Sequence, residues 1–234
     1  MNVISVVVPT YQERDNLEPL TRLIDDALRG RGYEIVIVDD ASPDGTAQVA
    51  EQLGGAYPIT VIKREGIRGL GSAVLRGFTE AKGELIGVID ADLQHPPEVL
   101  SNLVKAIEAG ADIAIASRYV DGGGTEGWST SRKVISRGAT LLARPLTNAR
   151  DPMSGCFMLR REVMESSVFD ARGYKLLLEI LVKAKYKTKK EVPYTFQIRR
   201  SGKSKLGWKE YVRYLSLLSR LYLYRVKPGH TTAH

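Results

Sequence analysis

Leu85-Ile86-Gly87-Val88-Ile89-Asp90-Ala91-Asp92 is an apolar run that ends in two carboxylates. A short apolar run bounded by turn residues reads as a strand covered on both faces. Side chains two apart on a strand point the same way, so Asp90 and Asp92 stand side by side where the buried strand surfaces. Like charges that close are unfavourable unless a cation lies between them. Carboxylate oxygens suit hard ions, Mg²⁺ or Mn²⁺, which keep positions open for substrate phosphates. The competing reading is that one aspartate caps the next helix and the other is solvated. Pro97, in the following Leu93-Gln94-His95-Pro96-Pro97-Glu98, suits a first helical turn and sets a helix start beside the acidic turn.

The same rhythm extends outward. Residues 3–8, 34–38, 59–62 and 113–116 are further strand-like runs. Between them the pattern predicts helices. One opens near Asp15 with Glu18 as capping-box partner, and one has Ser42 as cap with Pro43 in its first turn. Others cover 69–81 and 97–108. Strands alternating with helices argue a parallel, doubly wound sheet, in which ligands bind beyond the carboxyl ends of the strands. The distinctive polar residues fall there: Thr10-Tyr11-Gln12-Glu13, Asp39-Asp40, Asp90-Ala91-Asp92 and Ser117-Arg118.

The second half is less regular. Residues 121–127 hold four glycines and read as a mobile loop of the kind that forms lids. A helix over 130–144, a turn at 151–155, a strand over 156–159, a helix over 174–184 and an extended stretch over 191–198 follow. In 208–224, Lys209, Arg213, Ser216 and Arg220 form one polar stripe on a helix otherwise rich in Tyr and Leu. That suits either a helix lying in a membrane interface or one packed against the domain.

Composition bounds the function. The 234 residues, 43% hydrophobic and 26% charged, suit one globular domain. One cysteine, Cys156, excludes an internal disulfide framework and reads as a packed side chain in a reducing compartment. No apolar stretch approaches the ~18 residues that span a bilayer, and no signal peptide is expected. Residues 1–117 carry 10 Lys+Arg against 18 Asp+Glu, net −8; residues 118–234 carry 24 against 9, net +15. An acidic half suits a metal, and a basic half suits nucleic acid, an anionic membrane or a phosphorylated substrate. No groove-reading motif favours nucleic acid.

Single motifs stay ambiguous. Gly69-Leu70-Gly71 lacks the third glycine of a dinucleotide fingerprint and follows a later strand, which argues against nicotinamide or flavin. Asp39-Asp40 could bind a base or ribose, or cap a helix. Arg199 to Lys205 reads either as a phosphate clamp or as a solvated loop. His95 reads as structural, and three histidines suggest no catalytic triad.

Taken in order, VVVPTYQERDNL, IVIVDDASPDGT, GLGSAVLRGF, DADLQHPPE, ASRYV, RKVISRGA, DPMSG and RSGKSKLG resemble the dolichol-phosphate mannose synthases, within family 2 of the glycosyltransferases. The resemblance covers about residues 3–210. It implies a GT-A fold, a mostly parallel α/β sheet flanked by helices with acceptor-side helices at the C-terminal end. It also implies inverting transfer of mannose from GDP-mannose to dolichyl or another polyprenyl phosphate. A UDP-glucose-dependent polyprenyl-phosphate transferase is the alternative within the class. By matching position, Pro9, Tyr11, Glu13, Val38, Asp39 and Asp40 would contact the nucleotide. Asp90, Ala91, Asp92 and Gln94 would form the metal-diphosphate site, with Asp90, Asp92 and Gln94 as ligands of Mg²⁺ or Mn²⁺. Arg118 would reach the donor or the acceptor phosphate, Arg132 and Ser136 would receive the acceptor phosphate, and Lys175, Arg199 and Lys205 would clamp phosphates. Asp92, Arg118 and Arg132 are the expected catalytic groups. The implied organisation is one catalytic domain, 1–225, with a nucleotide-binding half (1–117), an acceptor-binding half (118–207) and an amphipathic helix (208–225), then a disordered tail (226–234). One branch of the family has C-terminal transmembrane helices that this sequence lacks. Peripheral attachment to the cytoplasmic face of a membrane, with or without small membrane subunits, is therefore expected.

Overall fold

The apolar runs form the strands of the computed structural model, which describes residues 3–66, 68–170, 175–198 and 208–226. The first half contains β1 (Ile4–Thr10), α1 (Arg14–Ala27), β2 (Tyr33–Asp39), α2 (Thr46–Leu53), β3 (Ile59–Lys63), α3 (Leu70–Glu80), β4 (Leu85–Val88), α4 (Val99–Glu108) and β5 (Ile113–Ser117). The second contains β6 (Gly124–Thr125), α5 (Thr130–Thr147), β7 (Phe157–Arg160), α6 (Arg161–Glu165), α7 (Leu176–Lys183), β8 (Lys189–Pro193), β9 (Thr195–Phe196) and α8 (Trp208–Val226).

Seven strands make the main sheet, in the order β3-β2-β1-β4-β7-β5-β8. All its pairs are parallel except those of β7, which runs antiparallel to β4 and β5. The expected mostly parallel α/β architecture is therefore correct. Alternate residues of β1 go to opposite faces, as the strand period requires. Ile4, Val6 and Val8 pack with Leu17, Leu20 and Ile24 of α1 and Leu100 and Leu103 of α4. Val7 joins Val74 and Phe78 of α3 and Leu177 and Ile180 of α7 on the other face. Burying side chains of this kind contributes about 1.5–3 kcal/mol each. α3 lies so close to the sheet that a Cβ at Gly77 would overlap Val7. A third cluster joins Ala143 and Leu146 of α5, Leu178 and Val182 of α7, and Tyr214, Leu217, Leu218 and Leu221 of α8.

β7 enters between β4 and β5, so their carboxyl ends stand two strand spacings apart, about 10 Å. That gap separates the acidic turn from Arg118.

Local differences from the sequence reading have identifiable causes. No capping box forms at α1: Glu13 is the N-cap, and its N–H donates to Thr46 Oγ1 at 3.0 Å, tying the β1 loop to α2. Ser42 is not a helix cap. Its hydroxyl and N–H donate to Asp39, and α2 begins only at Thr46, where Asp44 accepts the Thr46 N–H. Pro97 precedes α4, which begins at Val99. α5 continues past residue 144 to Thr147 despite Pro145 and stops at Asn148 in a left-handed turn (φ 50°). The glycine-rich loop is pinned, because Gly124–Thr125 pair in parallel with Thr195–Phe196. α8 extends one residue past the expected helix end; residues 227–234 lie outside the described residues.

Candidate active site

One cleft of about 530 Å³ opens at the carboxyl ends of β1, β2, β4 and β5 and is closed on the far side by α5, α7 and α8. Non-glycine residues with left-handed backbone follow three of these strands: Gln12 (φ 56°), Ala41 (φ 51°) and Leu93 (φ 58°). This conformation is costly for residues with a Cβ and concentrates at functional sites. At Leu93 it folds the chain back so that the Gln94 N–H donates to Asp92 Oδ1 at 3.1 Å, and Asp90, Asp92 and Gln94 all line the cleft.

The acidic side is built tightly. A Cβ at Gly155 would overlap Asp90 Oδ2 and meet His95 Cε1, so glycine there leaves room for both. His95 is 3% exposed, stacked on Tyr194 (5.3 Å) and edge-on to Phe196 (5.2 Å). Burial, with help from the Arg118 and Lys175 charges, pushes its pKa down to about 3, so the ring is neutral. Its Nδ1 lies 3.7 Å from Asp90 Oδ2 and has no hydrogen-bond partner among the described residues. Cys156 is fully buried, and burial together with the Asp90 charge pushes its thiol up, which fits a packed, protonated side chain.

The basic side faces it. Arg118 donates to Asp151 through Nε (2.8 Å) and Nη2 (2.7 Å), and its own N–H donates to Asp151 Oδ2 (3.0 Å). Burial works against the guanidinium's charge, but the hydrogen bonds and charge of Asp151 outweigh it. The guanidiniums of Arg118 and Arg132 both pack on the Trp128 ring, at 5.3 and 4.2 Å. Ser136, one turn after Arg132 on α5, shares a 2.7 Å hydrogen bond with the Tyr119 hydroxyl. Lys175, at the start of α7, donates to the Met153 carbonyl at 3.3 Å.

At the β1–β2 end, Pro9, Tyr11, Glu13 and Asp40 line the cleft. Asp40 accepts from Arg64 Nε (2.7 Å) and the Gly69 N–H (2.9 Å), and Arg68 stacks over Tyr11 (4.6 Å). Val38 and Asp39, expected beside the nucleotide, do not line the cleft. Val38 is core, against Gly77. Both Asp39 oxygens are taken within the turn, by Thr10 (3.0 Å) and Ser42 (2.5 and 2.8 Å). Ala91 lines the cleft, while Arg199 and Lys205 lie outside the described residues. Sequence reading missed Arg64, Arg68, Trp128 and Asp151, whose partners are separated from them along the chain or set by packing.

The donor set fits a hard divalent cation. Asp90 and Asp92 bring carboxylates, and Gln94 commits its amide nitrogen to Gln197 O (3.1 Å), leaving the oxygen, the atom such a cation takes. No group of three or more His, Cys, Asp or Glu converges among the described residues. The remaining ligands would therefore come from water or a substrate phosphate, as is usual for Mg²⁺.

The glycosyl transferase family 2 profile matches residues 5–167. A dolichol-phosphate mannosyltransferase of Pyrococcus furiosus is 51% identical over 222 residues, covering 93% of this chain and 63% of that protein. The chain thus spans somewhat under two thirds of that relative's length. The Saccharomyces cerevisiae protein of the same name is 39% identical over 234 residues, covering 94% of this chain and 87% of that one. Among solved structures, glucosyl-3-phosphoglycerate synthase of Mycobacterium tuberculosis, in a complex with Mn²⁺ and UDP, superposes with TM-score 0.70 at 20% identity, covering 100% of this chain and 81% of that one. That likeness concerns the fold.

Proposed function

The chain belongs to glycosyl transferase family 2, and from that premise we propose that it transfers mannose from GDP-mannose to a polyprenyl phosphate of the dolichyl type. The observation that carries the reading is the pairing of Asp90, Asp92 and Gln94 with Arg118, Arg132 and Ser136 across one cleft. Such a cleft suits two anionic substrates, a donor diphosphate on the acidic side and an acceptor phosphate on the basic side.

A Mg²⁺ or Mn²⁺ ion held by Asp90, Asp92 and Gln94 would neutralise the donor diphosphate and stabilise GDP as the leaving group. Arg118 and Arg132 hold the acceptor phosphate and offset its repulsion from the donor. Tyr11, Glu13 and Asp40, with Arg68 stacked on Tyr11, line the other end of the cleft and on this reading contact the nucleoside. A phosphate monoester is already anionic near neutral pH, so it attacks without a strong general base. The neutral, enclosed His95 agrees with that economy. Positioning and electrostatics then supply most of the rate.

The acceptor is membrane-borne, and among the described residues no helix is long and apolar enough to cross a membrane. α8 turns Tyr214, Leu217, Leu218 and Leu221 inward and leaves Tyr211, Leu215, Tyr222 and Leu223 exposed. The adjoining α5, bonded to α8 through Tyr222 to the Leu142 carbonyl (2.8 Å), exposes Val134, Leu141 and Leu142. These apolar faces, flanked by Arg213 and Arg220, suit contact with a membrane surface, such as the cytoplasmic leaflet.

The test is transfer of radiolabelled mannose from GDP-mannose to a short-chain polyprenyl phosphate, with and without chelator. The reading expects product that depends on divalent metal. A UDP-sugar used in preference would move the assignment to another polyprenyl-phosphate transferase.

A further inference from the structure

Asp151 is wholly buried and does not line the cleft, yet its carboxylate holds the guanidinium and the backbone N–H of Arg118 at once. We propose that Asp151, backed by Glu191, is a positioning residue that aims Arg118 at the acceptor phosphate. The inference rests on the reading of Arg118 as a phosphate-binding group.

Three observations support it. A guanidinium carries five N–H donors in a fixed fork; binding it through Nε and Nη2 fixes the whole plane and leaves its other edge for a ligand. Asp151 is itself fixed, because the Arg150 and Asp151 N–H groups donate to Glu191 Oε2 (2.8 Å) and Oε1 (2.9 Å) on β8. The aim of Arg118 is thus referred back to the central sheet. Finally, a buried ion pair contributes little to stability compared with well-packed apolar side chains. Orientation of a cleft-lining guanidinium explains an ion pair at this place better than a role in stability. The same turn also accepts the Lys175 ammonium on the Met153 carbonyl, so two cleft cations take their direction from residues 150–155.

The test is steady-state kinetics on Arg118→Ala, Asp151→Asn, Glu191→Gln and the doubles Arg118→Ala/Asp151→Asn and Arg118→Ala/Glu191→Gln, varying polyprenyl phosphate and GDP-mannose separately. Thermal melting is measured alongside. Arg118→Ala is expected to lower kcat/KM for the acceptor about a hundredfold, and Asp151→Asn about tenfold, with the KM for GDP-mannose within about twofold of the parent. The double variant should be no worse than Arg118→Ala alone, since both changes remove one device. Multiplying losses in the double, or a Asp151→Asn defect shared equally by donor and acceptor, would overturn the proposal. Should Asp151→Asn melt far below the parent, Glu191→Gln decides: about a threefold acceptor-specific loss that vanishes in the Arg118→Ala background supports the coupling, and a loss that persists there overturns it. If Arg118→Ala leaves acceptor kinetics untouched, the reading of Arg118 fails, and the inference with it.

Discussion

Replacing Asp92 by Asn keeps the side chain's shape and removes its charge. Because Asp92 is 8% exposed yet lines the cleft, the variant should fold and lose kcat by about a hundredfold or more. Melting temperature and Mn²⁺ binding measured by electron paramagnetic resonance check this; a variant that binds Mn²⁺ and turns over normally would remove Asp92 from the metal site. Arg132→Ala should raise the acceptor KM by about ten- to a hundredfold, the cost of a charge-assisted hydrogen bond, while GDP binding by calorimetry stays constant. His95 supplies a pH prediction. Its pKa is 6.5 unfolded and about 3 folded, so between those values only the unfolded chain takes up the proton. Stability is then lost as pH falls below about 6.5, by about 1.4 kcal/mol per unit, and is flat above it. Unfolding free energies of the metal-free protein, from urea titrations at pH 7 and 5, should differ by about 2 kcal/mol less in His95→Phe. Asp90 and Asp92 were legible because a strand period and a terminating turn coincide in a few residues. The turn that Asp39 holds was not legible, because its partners in space, Thr10 and Ser42, are set by packing. Asp151 stood in the DPMSG motif, but its partner was hidden because it lies 33 residues earlier in the chain.

At the scale of elements, α8 has one face packed against α5 and α7 and another that is exposed and apolar. Leu218 is 5% exposed within the α5–α7–α8 cluster, so Leu218→Ala should cost about 2–5 kcal/mol of stability in chemical unfolding. Leu223 is 66% exposed and Leu215 54%. Leu215→Asp with Leu223→Asp should therefore leave the melt unchanged while weakening flotation with polyprenyl-phosphate-containing vesicles; undiminished flotation would take the membrane contact away from this helix. Of the two readings of residues 208–224, the packed helix describes the face of Tyr214, Leu217, Leu218 and Leu221, and the flotation experiment tests the interfacial one. Long periodic elements were readable to within a few residues. β9 falls within the extended stretch expected over 191–198, but β6 and its pairing with β9 were not readable, since so short a pairing leaves no period and is dictated by Gly124 and Thr195 meeting in space. The antiparallel entry of β7 was equally hidden, because an apolar run does not state which way it runs.

At the scale of the whole molecule, carboxylates from the acidic half of the sequence and cations from the basic half meet in one cleft. Net −8 over residues 1–117 accompanies Asp90 and Asp92, and net +15 over 118–234 accompanies Arg118, Arg132 and Lys175. The insertion of β7 sets the carboxyl ends of β4 and β5, which carry the acidic turn and Arg118, about 10 Å apart. The sequence resemblance covered both ends, but their spacing follows from strand order, which no linear pattern states. Crystals soaked with GDP, Mn²⁺ and a short polyprenyl phosphate offer the most direct measurement. An anomalous manganese peak within coordination distance of Asp92 and Gln94, and an acceptor phosphate against Arg118 and Arg132, is the result the account predicts. Manganese bound elsewhere, or the acceptor phosphate seated away from α5, would contradict it.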